Sequence, residues 1–406
     1  MTAASLAAAI NRHSAVLVAA LLLVSFAARI LRIEAPPIPI FDEGLFYIPA
    51  ARAYLAGLPD PNPEHPPLGK LLFAAGMALF GDTPMGWRIM SSIVGTAGIG
   101  LTFLLGARLW GSAAAGLVAA TLLAFDLLWF LFSRLIMYDV FLATLVLAGL
   151  TLAWRHRETG GSAALAGAGL AIGLAAAVKW AGLWALAPAL LACAFAPRRW
   201  TVADVGRRGA LLGSGVVAGY LIPWTYHIAT LGYGPAELVQ QHVEMLQYHV
   251  ALRASADPSA QWTTPLRWLL NEPLIFTSRD DRSIWVPALA NPLLFWGGLA
   301  AAAWCGCQML AGKGLRERLA GPHAFLAVWV LAFYLPWFAF PRIKYFYYLL
   351  PLLPALALAL TGGLHALLQP PAGPRRRLAV AGYAMGLVAV ALGMYPAVTG
   401  MLSGAR

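Results

Sequence analysis

Apolar runs of about twenty residues, the length that crosses a bilayer as a helix, recur from one end of this 406-residue chain to the other. No other feature restricts the fold so far. Hydrophobic residues make up 60% of the chain and charged residues 11%, against roughly 25% charged in soluble domains. The chain therefore reads as an all-α polytopic membrane protein rather than the two or three soluble domains its length would suggest. One bundle over 1–406 is the expected domain organisation. The first run, "AVLVAALLLVSFAARILRI", lacks a small-residue cleavage site and leads into Glu34 and three prolines, so it reads as a retained helix. Cys193, Cys305 and Cys307 lie in or beside apolar runs and form no disulfide framework. The net charge of +11 comes without a basic face interleaved with aromatics. Membrane orientation explains it, and nucleic acid is not expected as a partner.

Dividing the chain at its charged and Pro/Gly breaks predicts about eleven spans. They lie near 14–33, 85–107, 113–132, 135–154, 163–178, 181–196, 209–229, 284–306, 324–341, 345–366 and 379–397. The segment 68–81 is too brief to cross and is expected at the interface. The short loops "RHRETGG", "PRRWTVADVGRRG", "GKGLRERLAG" and "PPAGPRRRL" are rich in Arg and fall on alternate connections. The positive-inside rule makes their side cytoplasmic. Two long loops, 34–84 and 230–283, then face outward, and among the acids only Glu158, Asp204 and Glu317 fall inside. His13, His156 and His323 lie on the cytoplasmic side and read as surface residues.

The outer ends of the spans still carry charge: Arg88, Asp126, Arg134, Asp139, Lys179, Arg342 and Lys344, with Asp42 and Glu43 in the first long loop. A charge at membrane depth costs a few kcal/mol and marks a site or a pathway, although long Arg and Lys stems also snorkel. The gathering of so many at one face favours a site. Several cations at the headgroup plane suit a lipid phosphate, and a carboxylate beside them can take a proton from an incoming hydroxyl. A lipid-linked phosphate leaving and a hydroxyl attacking make a glycosyl transfer, which a single displacement by one base would invert. Lys70, Arg134, Arg342 and Lys344 are the candidate phosphate-binding cations.

The motifs "FDEGLFY", "EHPPLGKLL", "GWRIMSSIVGT", "SRLIMYDVFL", "VKWAGL", "ANPLLFWGG" and "KYFYYLLPLLP" resemble, in that order, the protein O-mannosyltransferase family. The resemblance runs from about 40 to 360. It implies a C-type glycosyltransferase fold and a dolichyl- or polyprenyl-phosphate mannose donor. It also implies an acceptor hydroxyl, Ser or Thr of a protein, at the outer face of a bacterial inner membrane. Asp42 is then the catalytic base or acceptor anchor, and Glu43 orients the acceptor or Asp42. His65 and Lys70 come near the donor phosphate. Glu64, Arg88, Asp139, Lys179, His249 and Trp262 are further site residues, Arg134 and Asp139 matching the family's R-x-x-x-x-D. The large β-trefoil insertion of the eukaryotic enzymes is absent, because 230–283 is too short to hold it. That leaves the bacterial branch, or the wider set of lipid-carrier glycosyltransferases acting on lipid or glycan acceptors.

Glu64 and His65 could help to hold a divalent metal, but two adjacent residues are not a ligand spacing. His65 orienting the Pro66–Pro67 turn is the alternative, so a divalent metal stays open as a cofactor and no cofactor is certain. Tyr345–Tyr348 could line a polyprenyl groove or form an interfacial belt. Asp126 reads as a hydrogen-bonded partner inside the bundle. The rival class is a lipid-linked sugar transporter or flippase, which calls for charges near the bilayer midplane and paired broken helices. The one-sided charge and the lack of a repeat count against it.

Overall fold

The computed structural model describes residues 3–196, 201–252, 263–278, 281, 283–369 and 373–400. Its elements follow the apolar runs. Helix α1 (Ala3–Ile30) is followed by three loop helices' worth of chain: a turn at Phe41–Glu43, α2 (Tyr47–Leu55) and α3 (Leu68–Phe80). Next come α4 (Pro84–Trp110), α5 (Ala113–Ala124), α6 (Leu127–Phe132), α7 (Asp139–Thr159), α8 (Ser162–Ala176), α9 (Leu186–Ala194) and α10 (Val202–Leu221). The second long connection carries α11 (Thr225–Leu231), α12 (Pro235–Ala251), α13 (Pro265–Trp268) and two short strands. The chain ends with α14 (Pro292–Ala311), α15 (Leu315–Leu319), α16 (Pro322–Tyr334), α17 (Pro336–Ala339), α18 (Leu353–Leu368) and α19 (Pro374–Val398).

Each predicted span meets a helix, and among the described residues seven helical stretches are long and apolar enough to cross a membrane. The helix ends differ from the expectation for local reasons. The run 113–132 is broken at Asp126, whose carboxylate accepts from Trp129 N at 2.8 Å and so caps a new helix. The run at 284 begins as an antiparallel strand, β2 (Trp285–Ala288), paired with β1 (Leu274–Thr277). Helix α14 starts only where Asn291 caps it and Pro292 supplies its first turn. The same Asp126 accepts from Asn291 N at 2.9 Å, so one buried carboxylate ties two helix starts together.

Helices α8 and α10 show why the bundle is tight. Gly169 and Gly173 on one, and Gly215 and Gly219 on the other, are spaced four apart and face each other. A Cβ on Gly173 would lie 2.1 Å from the Val216 carbonyl oxygen, and one on Gly219 would lie 2.2 Å from that of Leu170. Small residues at four-residue spacing let two backbones meet where hydrophobic burial drives nothing, since lipid is as apolar as the helices. This contact carries the ends of α8 and α10, and with them Lys179 and Tyr220, to one end of the bundle.

Candidate active site

The two long connections pack against the same end of the bundle, and the predicted charges gather there. Glu43 is fully buried and bound on both oxygens. Its Oε1 accepts from Arg88 Nε at 3.0 Å and Ile136 N at 3.1 Å, and its Oε2 from Arg88 at 2.8 Å and Ile40 N at 3.0 Å. Arg88 spends its remaining N–H groups on the carbonyls of Ile33 (3.0 Å), Pro36 (2.8 Å) and Ile38 (3.4 Å). A bidentate guanidinium–carboxylate pair is rigid, so the adjoining Asp42 is held by a fully satisfied anchor. Glu43 has a positioning geometry rather than that of a proton carrier.

Phe41, just before Asp42, has φ of 50°, a left-handed conformation that a bulky residue rarely adopts. Its ring stacks on Phe276 at 4.2 Å and meets the edges of Tyr345 and Tyr347. That clamp holds the strained turn, and such strain collects at functional sites. Asp42 is half-buried. Its carboxylate bears electrostatically on the phenols of Tyr47, Tyr248, Tyr345 and Tyr348.

Beside it lies a cavity of about 270 Å³. Its polar lining comprises His65, Asp139, Lys179, His249, Arg342 and Tyr348, and its apolar walls include Trp180, Trp184, Leu246, Phe333, Trp337 and Phe340. Lys179 grips Asp139 with 2.9 and 2.8 Å contacts and stands 5.5 Å from the Tyr348 ring centre. Arg342 donates to His249 Nδ1 at 2.8 Å and to the Tyr348 hydroxyl at 3.4 Å. Burial, with Arg342 and Lys179 nearby, pulls His249 down to about 4, and its ring also donates to the Glu64 carbonyl. Burial likewise holds His65 well below the usual imidazole range. Both histidines are therefore neutral near pH 7, and of the charged lining Asp139 offsets one of two cations. One positive charge is left over in a pocket otherwise walled by aromatic and aliphatic groups.

The other predicted residues sit elsewhere. Lys70 is buried and pairs with Asp60, while also donating to the carbonyls of Asn62 and His65. It ties the turn 60–65 together and is absent from the cavity lining. Arg134 donates to the carbonyls of Ala28, Arg29, Leu31 and Arg32, at and just beyond the end of α1, where carbonyls lack helical partners. Its hydrogen bonds go to a helix terminus rather than to the cavity. Lys344 lies close enough to Arg342 to bear on it electrostatically, and its carbonyl accepts from Thr263 N at 2.8 Å, but it too is outside the lining. Of the four cations expected at a phosphate, only Arg342 faces the cavity, and Lys179 takes the place beside it. Arg88 is remote in the same sense, since it braces Glu43. Burial raises the Glu64 carboxyl above its ordinary range. Among the described residues no three His, Cys, Asp or Glu side chains gather as metal ligands, so the pair Glu64 and His65 gains no third partner there. Trp262 lies outside the described residues.

Sequence reading missed Asp60, Phe41, Trp184 and Trp337. Asp60 stands in a polar loop "LPDPNPEH" that gives no sign of a buried ion pair, and the aromatics look like any interfacial belt until the fold turns them inward.

The chain is similar to known membrane glycosyltransferases. The model of the family described as dolichyl-phosphate-mannose-protein mannosyltransferase matches residues 64–227. The polyprenol-phosphate-mannose–protein mannosyltransferase of Mycobacterium tuberculosis is 27% identical over 89% of this chain and 83% of its own length. An undecaprenyl phosphate-alpha-4-amino-4-deoxy-L-arabinose arabinosyl transferase of Pseudomonas aeruginosa is 30% identical over 75% of this chain, which spans half of that relative. Among solved structures, the S. cerevisiae protein O-mannosyltransferase Pmt1–Pmt2 complex bound to the sugar donor superposes with a TM-score of 0.81 at 13% identity. That match covers 97% of this chain and 91% of the other. ArnT from Cupriavidus metallidurans bound to undecaprenyl phosphate follows with 0.62 at 18% identity, over 96% of this chain and 76% of its own.

Proposed function

For a membrane glycosyltransferase of the C-type fold, related to the protein O-mannosyltransferases, we propose one reaction: transfer of mannose from a polyprenyl-phosphate carrier to a Ser or Thr hydroxyl of a protein. The observation that carries it is the cavity with Lys179 and Arg342 at its polar side and aromatic walls around the rest. Cations beside apolar walls suit a phosphate joined to an isoprenoid chain. In the reaction the acceptor hydroxyl gives its proton to Asp42 while its oxygen attacks C1 of the sugar. The bond from C1 to the phosphate oxygen breaks, and the electron pair leaves with the phosphate. The donor phosphodiester carries one negative charge and the departing monoester a second. Lys179 and Arg342, held in place between aromatic walls, favour that added charge more than water would. One displacement inverts the anomeric carbon, and no acid is needed for a phosphate leaving group. Glu43 and Arg88 keep Asp42 in place.

The sidedness of the basic loops supports a site on the outer face, which in a bacterium is the periplasmic side of the inner membrane. Purified protein given labelled polyprenyl-phosphate mannose and a Ser/Thr peptide is expected to release polyprenyl phosphate and label the peptide. Label crossing a sealed liposome with the donor intact would instead mean a transporter. The arabinosyl transferase relative motivates a second arm with a lipid acceptor, in which transfer to lipid alone would displace the protein acceptor.

A further inference from the structure

Beside the cavity, three side chains from three elements join in a chain of hydrogen bonds that the proposed reaction does not use. Trp180, which lines the cavity, donates from Nε1 to the Tyr220 hydroxyl at 3.0 Å. That hydroxyl lies 2.7 Å from Nε2 of His242, and His242 Nδ1 lies 2.7 Å from the Leu238 carbonyl. A carbonyl only accepts, so Nδ1 bears a proton and donates to Leu238, which leaves Nε2 to accept from Tyr220. The donors therefore run one way, from Trp180 through Tyr220 and His242 to the backbone of α12. His242 also stacks on Trp224 at 4.6 Å.

Helix α12 packs sparsely against the rest of the protein. Leu238, His242, Met245 and His249 form the stripe that faces the protein, yet Met245 is the one residue of the helix that is buried. The next stripe, Val239, Val243, Leu246 and Val250, is exposed by 40–64%. So little packing holds the helix down, although it carries His249, Arg342's partner, over the cavity.

We propose that Tyr220 and His242 are positioning residues that seat α12 over the donor cavity, so that His249 keeps Arg342 aimed at the phosphate. This rests on the function proposed above. The test uses full-length protein in nanodiscs, comparing wild type with Tyr220→Phe, His242→Ala and His242→Gln. Loss of the Tyr220 hydroxyl removes an acceptor and a donor together, and the KM for polyprenyl-phosphate mannose is expected to rise about ten-fold, with kcat falling as well because Arg342 also stabilises the departing phosphate. His242→Ala behaves alike. His242→Gln, whose amide oxygen can stand in for Nε2, recovers most of the loss. Hydrogen exchange over 235–251 speeds up in the Phe and Ala variants and stays near wild type in Gln. A lowered melting temperature with KM and exchange unchanged would reduce the pair to ordinary packing and overturn the proposal. If wild type releases no polyprenyl phosphate, the assigned reaction fails. Binding of polyprenyl phosphate itself and exchange over 235–251 then decide the tether separately: Tyr220→Phe weakening the first and speeding the second supports it, and no change in either overturns it.

Discussion

Adjacent carboxylates in one short turn have opposite surroundings. Glu43 is sealed under four hydrogen bonds, while Asp42 stays half-buried among phenols at the cavity. Asp42→Asn should lower turnover by about a hundred- to ten-thousand-fold, the range of a general base, with the melting temperature kept; near-full turnover would move the base elsewhere. Glu43→Gln should instead destabilise by about 3–5 kcal/mol, because it leaves the Arg88 charge buried without its partner, and thermal unfolding reads that directly. The cations divide in the same way. Arg342→Ala should weaken donor binding by about 1.5–3 kcal/mol, whereas Arg134→Ala should cost stability and leave donor affinity of the folded fraction unchanged. Donor titration of both variants separates the roles. His249 adds a pH dependence whose sign follows from its depressed value. Unfolded, the ring takes a proton near 6.5; folded, it resists until about 4. Its contribution is complete above 6.5 and is lost as pH falls from there toward 4, where a charged imidazole would also confront Arg342. His249→Gln should flatten that part of a stability–pH curve.

Helices α8 and α10 are where element packing meets the site. The glycines at 169, 173, 215 and 219 leave no room for a side chain, and Tyr220 follows Gly219 directly. Gly219→Leu should force the helices apart, and large overpacking of this kind costs about 1–3 kcal/mol or more. It should also lengthen the 3.0 Å contact between Trp180 and Tyr220. The expected result is lower thermal stability together with weaker donor binding, whereas Gly213→Ala, with open space around it, should leave both unchanged.

For the whole molecule, sidedness is the testable quantity. Leu58 in the first long loop is 55% exposed and Val202 at the start of α10 is 93% exposed, so a single cysteine at either is reachable. In sealed vesicles a membrane-impermeant maleimide should label one and not the other. Labelling of both from the same side would invert part of the topology and detach the site from the outer face.

Sequence by itself determined the class of fold, the approximate spans and the end of the bundle at which charge collects. These depend on properties that add along the chain: apolar length against bilayer thickness, and Arg and Lys counts in short loops. Motifs around Asp42, Glu43, Asp139 and Lys179 also pointed to the neighbourhood of the candidate site. Which cation faces the cavity was not legible. Lys70, Arg134 and Arg342 are equally basic in the sequence, but one pairs with Asp60, one satisfies the end of α1 and one borders the cavity. Partners 103 positions apart, as for Arg134 and Leu31, leave no local trace. Breaks at Asp126 and Asn291 were hidden for the same reason, since an apolar run looks continuous until a carboxylate caps a helix within it. Tertiary structure decided these points because a buried charge must find its compensation in three dimensions, and whichever group the fold brings nearest sets its role.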